Sequence, residues 1–129
     1  MIAHIFLIED DPLVREAFEI ILVSDGHRIS SAADGAIGLR QIEQGRYDLV
    51  ITDIMMPEKD GVEVINALRK SHRDLPIIAV SGGARGSATD YLHIAKVLGA
   101  VEVLSKPIGA KELLAAFKKA LPTEDGEQR

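Results

Sequence analysis

The 129-residue chain predicts an α/β fold, a doubly wound parallel sheet of five strands with helices on both faces. Three observations predict it. Five short apolar runs alternate with segments of helical periodicity, and strict βα alternation implies parallel strands joined by right-handed crossovers. The Leu49-Val50-Ile51-Thr52 run is continuously apolar, as in a strand covered on both faces. Each run also ends on a polar residue or pair. In such sheets ligands bind outside the carboxyl ends of the strands.

The elements follow in order. Residues 4–8 read as the first strand. Asp11-Pro12 opens a helix, because Asp is a favoured N-cap and Pro suits the first helical position. Val14, Ala17, Phe18, Ile21 and Leu22 then recur at the spacing of one helical face, and Gly26 ends the segment as a left-handed cap would. Residues 27–32 form a weaker strand around Ile29. Asp34 caps a helix through Leu39 and Ile42, with Gly45 beyond its end. Residues 49–52 are the third strand. A loop over 54–60 leads to a helix carrying Val62, Ile65 and Leu68. Pro76 starts a fourth strand over 77–80. Residues 81–89, rich in Gly, Ser and Ala, read as a mobile loop. A helix with Leu92, Ala95 and Leu98 inward follows, closed by Gly99. Residues 101–104 are the fifth strand, and Leu113, Leu114 and Phe117 mark a last amphipathic helix. The folded unit is expected over 1–121, with a polar tail over 122–129.

Composition removes several functions. The chain has no cysteine, which excludes disulfides, thiolate zinc sites and thiol catalysis. A net charge of −5, with two Tyr, three Phe and no Trp, supplies neither the basic stripe nor the stacking platforms of a nucleic-acid binder. No apolar stretch approaches the length of a membrane span, and no basic region precedes an apolar one at the start. The expected location is the cytoplasm.

The strand ends carry the chemistry. Glu9-Asp10, Asp53, Ser81 and Lys106 follow strands one, three, four and five. Taken alone, an acidic pair at a strand end is as readily a solvated cap as a ligand. Gathered at one sheet edge, three carboxylates repel, and a hard cation such as Mg²⁺ relieves that repulsion through oxygen ligands. Asp53 ends a run expected to be buried, so its charge needs partners. A cation held with Asp10 and the ammonium of Lys106 are the two in view. Ser81 would donate to a phosphoryl oxygen, although a Ser before Gly-Gly is more often turn chemistry. Pro107 makes the bond after Lys106 a candidate for the cis form, which suits a tight turn that aims a side chain. The Met55 carbonyl can face the cation, whereas the Met55 and Met56 side chains read as packing. Neither nucleotide-loop glycine pattern occurs.

With these residues in hand, the chain resembles the receiver domains of two-component response regulators. The matching elements are Leu7-Ile8-Glu9-Asp10-Asp11, Asp48 through Pro57 with Gly61, Ser81, Gly99-Ala100 and Lys106-Pro107. They occur in the family's order over about residues 3 to 121. The resemblance implies a flavodoxin-like sheet of order 2-1-3-4-5. It implies that Asp53 is the phosphoacceptor, Asp10 a direct Mg²⁺ ligand, and Glu9 a partner acting through a metal-bound water. Met55 would contribute its backbone carbonyl, and Ser81 and Lys106 would hold phosphoryl oxygens. The implied partner is a histidine kinase or a histidine phosphotransfer protein. The downstream target, and whether phosphorylation pairs two copies, stay open.

Three departures bear on the output. Where the family commonly has Tyr or Phe, three residues before the Lys, this chain has Val103, which cannot swing a ring. The span from Ser81 to Lys106 is a few residues longer than typical, with Tyr91 and His93 as substitute reporters or ordinary surface residues. No effector segment follows, which reads as a stand-alone receiver or an excised piece. Three other function classes stand beside the receiver reading. An aspartate phosphohydrolase would want a second Asp where Met55 stands. A flavin carrier would meet Glu9, Asp10 and Asp11 as repelling anions. A phosphorylation-independent binding module would keep the fold without the activity.

Overall fold

Alternate residues of each apolar run face opposite helical layers, and this makes the strands continuous in the sequence. The computed structural model describes residues 2–54, 61–81, 93 and 96–121. Its strands are β1 His4–Ile8, β2 Arg28–Ala32, β3 Leu49–Asp53, β4 Ile77–Ser81 and β5 Glu102–Ser105. All pairs are parallel, and the order is β2-β1-β3-β4-β5, as expected from the family resemblance.

Phe6, Ile8, Val50, Ile77 and Ala79 point into one core layer. There they meet Ile42 of α2 (Gly35–Gln44) and Val64, Ile65 and Leu68 of α3 (Gly61–Ser71). Ile5, Leu7, Leu49, Ile51, Ile78 and Val80 point into the other. That layer is closed by Phe18 and Leu22 of α1 (Pro12–Ser24) and by Leu113, Ala116, Phe117 and Ala120 of the C-terminal helix, Ala110–Ala120. Burying both faces removes the apolar runs from water, the dominant favourable contribution to folding. Residues 93 and 96–98 are helical, and Leu98 packs on the first layer.

The caps form as read. The Asp11 carboxylate accepts from the Leu13 and Val14 amides at 2.9 and 3.5 Å, and Asp34 accepts from the Ile37 amide at 2.8 Å. Gly26, at φ +97°, supplies the left-handed residue after α1.

Three helical faces differ from the expectation. Ala17 is exposed, because α1 meets the sheet along a narrow ridge of Phe18 and Leu22. The inward residues of α3 are Val64, Ile65 and Leu68, and Val62 is only half-buried at its flank. In the last helix Leu114 is likewise half-buried, while Ala116 and Ala120 complete the inner face. β5 begins one residue late, at Glu102, and Val101 is exposed. Of the loop read over 81–89, Ser81 instead closes β4, because it pairs with Ser105 of β5, and 82–89 lie outside the described residues, as do Tyr91, Leu92, Ala95 and the tail over 122–129; His93 is exposed. No helix among the described residues is long and apolar enough to cross a membrane.

Candidate functional site

Parallel register sets the site. Ile8 pairs with Thr52, Asp53 with Val80, and Ser81 with Ser105, so the carboxyl ends of β1, β3, β4 and β5 finish nearly level. Glu9-Asp10, Asp53, Ser81 and Lys106 therefore emerge on one edge. The outer strand ends are tied together by backbone bonds: Ile54 N donates to Val80 O at 2.8 Å, and Lys106 N donates to Ser81 O at 2.7 Å.

Glu9 and Asp53 are only 1% and 4% exposed, so both are deeply desolvated carboxylates. Lys106 Nζ lies between them, 2.9 Å from Glu9 Oε1 and 3.1 Å from Asp53 Oδ2. The second Glu9 oxygen accepts from the Asp11 amide at 3.1 Å. Burial pushes the Glu9 carboxyl up to about 7, against the pull of the Lys106 hydrogen bond and with the help of negative Asp53. Burial alone would lower the Lys106 ammonium. Its hydrogen bond with Glu9 and the charges of Asp53 and Glu9 outweigh that and leave it raised.

One carboxylate oxygen each from Glu9, Asp10 and Asp53 lies within 4.8 Å of the others. Asp10 is the partly exposed member, so the cluster opens toward solvent through it. One ammonium beside three carboxylates leaves an excess of negative charge. An all-oxygen donor set of that kind suits Mg²⁺, which keeps waters and takes few protein carboxylates. Ser81 adds an independent sign. Its Oγ is fully buried and has no hydrogen-bond partner among the described residues, a costly condition that an arriving acceptor would relieve.

Five of the six residues nominated from the sequence thus share one edge: Glu9, Asp10, Asp53, Ser81 and Lys106. Met55 lies outside the described residues. The Lys106–Pro107 peptide is cis, as the sequence suggested. Val103 is half-buried in β5 beside Ala79 and packs against the α2–α3 layer.

Two contributors were not foreseen. Arg15 Nη1 donates to Glu9 O at 2.7 Å, tying the first turns of α1 back to the end of β1. Nothing in the spacing distinguishes this arginine from a solvated one. Gly61 lies so close to the end of β3 that a Cβ there would stand 2.3 Å from Asp53 O and 2.5 Å from Ile54 Cα. A glycine at a helix start was readable, but its backbone contact with residue 53 was not.

Comparison with known proteins identifies the family. The family model described as the response regulator receiver domain matches residues 5–118. Transcriptional regulatory protein AfsQ1 of Streptomyces coelicolor is 36% identical over 117 residues, 91% of this chain and 50% of that protein. Response regulator MprA of Mycobacterium avium is 36% identical over 128 residues, 96% of this chain and 55% of that protein. The chain spans about half the length of the curated relatives it matches. Among solved structures, a response regulator receiver domain protein from Clostridium thermocellum superposes with TM-score 0.85 at 29% identity, covering 92% of this chain and 94% of that one. The receiver domain of a sensor histidine kinase from Pseudomonas aeruginosa, described with a magnesium ion coordinated in its active site cleft, gives TM-score 0.84 at 28% identity, covering 95% and 100%.

Proposed function

Because the chain belongs to the response regulator receiver domain family, we propose that its Asp53 takes a phosphoryl group from a phosphohistidine on a kinase or phosphotransfer protein. The observation that carries the reading is the ammonium of Lys106 held between the buried carboxylates of Glu9 and Asp53, with Asp10 close by. Such a site presents a carboxylate nucleophile beside a fixed positive charge.

An Asp53 carboxylate oxygen attacks phosphorus in line; the new O–P bond forms as the N–P bond breaks, and the imidazole leaves with that electron pair. Phosphoryl transfer passes through a loose transition state, so the protein's work is positioning and charge neutralisation. Lys106 turns from the carboxylates to an equatorial oxygen, and the buried Ser81 hydroxyl donates to another. Asp10 and Asp53 would hold Mg²⁺ directly, with Glu9 acting through a metal-bound water and the Met55 carbonyl as a further ligand. When bound there, Mg²⁺ would supply charge neutralisation for the phosphoryl oxygens. Later attack by water on the same phosphorus returns the free carboxylate, which makes the mark self-limiting.

Phosphorylation adds charge beside the buried Ser81, whose hydroxyl answers it, biasing a two-state surface. With Val103 in β5, that change passes through the Ser81 backbone and its bond to Lys106 rather than through a swinging ring. The test is incubation with Mg²⁺ and a small phosphodonor. One phosphoryl group is expected on the wild type and none on Asp53→Asn; equal labelling of both would reject Asp53 as the acceptor.

A further inference from the structure

We propose that Arg15 is a positioning residue for the metal, acting through the main chain of Glu9. The proposal rests on the reading of Glu9, Asp10 and Asp53 as the Mg²⁺ site.

Glu9 is buried, so its main-chain groups need internal partners. Its N–H donates to Ala32 O at 3.1 Å, which fixes the strand side of the turn. Its C=O lies where β1 has ended and α1 has not begun. The first helical carbonyl acceptor is that of Asp11, which takes the Arg15 amide at 2.9 Å. The Glu9 carbonyl is reached instead by the Arg15 guanidinium at 2.7 Å. Arg15 is therefore bonded twice across the same junction, once through its backbone and once through its side chain. Asp10 is the residue between those anchors, and its carboxylate must stay within 4.8 Å of the Glu9 and Asp53 oxygens for all three to share one ion.

Arg suits this task because its planar guanidinium is pre-organised, whereas Lys offers a flexible point charge. Two effects of removing Arg15 have opposite signs. Losing a cation near a carboxylate cluster would strengthen attraction for Mg²⁺. Losing the clamp would let Asp10 drift and weaken it. The hydrogen bond to the carbonyl assigns the second effect as dominant.

Titration of the full chain with MgCl₂, followed by amide NMR, separates the two. Arg15→Met should weaken Mg²⁺ binding by about tenfold, at the low end for outer-shell partners of metal sites. Arg15→Lys should lie between that and the wild type. Labelling by a small phosphodonor should need more Mg²⁺ yet reach the wild-type limiting rate once Mg²⁺ saturates. Unchanged or tighter Mg²⁺ binding by Arg15→Met would overturn the proposal, as would a lowered limiting rate at saturation. Should Arg15→Met not fold, Arg15→Lys decides: weaker binding supports the clamp, and unchanged binding overturns it. A wild type that bound no Mg²⁺, or an Asp10→Asn variant that bound it equally well, would instead remove the metal-site reading beneath the proposal.

Discussion

Ser81 is buried with its hydroxyl unpaired among the described residues, a condition the fold alone does not reward. An unsatisfied buried donor costs about 1–3 kcal/mol, so Ser81→Ala should leave stability within about 1 kcal/mol or raise it. On the proposed role of the Ser81 hydroxyl as a donor to a phosphoryl oxygen, the same variant should slow labelling of Asp53 by about tenfold or more. Urea unfolding and a labelling time course read the two effects separately. Glu9 gives a pH signature. Its carboxyl is pushed from 4.5 up to about 7, so between those values the folded state keeps a proton that the unfolded chain has released. Stability of the metal-free protein should therefore fall as pH rises through that window. The total is on the order of a few kcal/mol, at about 1.4 kcal/mol for each tenfold change in proton affinity. The raised Lys106 ammonium contributes below its unfolded value of 10.5 and loses that contribution only as pH rises through its folded value, so it leaves the window unchanged. Glu9→Gln should flatten the slope measured by urea unfolding from pH 4 to 8; an identical slope in both proteins would contradict the account.

At the scale of elements, the start of α3 is packed against the end of β3 through Gly61, whose N–H donates to Ile54 O at 2.7 Å. A Cβ at 61 meets backbone rather than a side chain that can move. Gly61→Ala should therefore cost about 3 kcal/mol, at the upper end of overpacking, and should also shift the NMR signals of Asp53. Gly38 contrasts with it. There the added Cβ meets the Ile8 side chain rather than backbone, with Cδ1 at 2.6 Å and Cγ1 at 2.8 Å. Much of this level was legible beforehand. Asp11-Pro12 and Asp34 announced helix starts because capping is local chemistry, and both caps form. The strands were legible because burial on both faces leaves an unbroken apolar run. Ala17 and Val62 were misjudged because periodicity gives a face but not its width, which depends on how close the helix sits to the sheet. The Arg15 bond was invisible for a related reason: it joins a helix to a strand end through a carbonyl, and no residue type announces that.

Across the whole molecule, topology delivers the site. Order 2-1-3-4-5 places β1 beside β3 with helices leaving to opposite faces, so the two acidic ends border one crevice. The wall nearest Asp10 is the first turn of α1, where Leu13 is 76% exposed, with Ile20 at 60% farther along the helix. We propose that a protein-borne phosphohistidine approaches over this exposed apolar turn, which a small phosphodonor need not contact. Leu13→Glu should thus slow transfer from a phosphorylated histidine protein by about tenfold, the loss of one anchoring contact, and leave small-donor labelling unchanged. An equal loss for both donors would count against a docking role for α1. The central claim is that the strand ends form one phosphoacceptor centre on Asp53. Its most direct test is borohydride reduction of the labelled protein, which converts an aspartyl phosphate to homoserine, followed by peptide mass mapping. Homoserine at position 53 alone is predicted; homoserine at Asp10 or elsewhere, or none in a protein that carries phosphate, would contradict it.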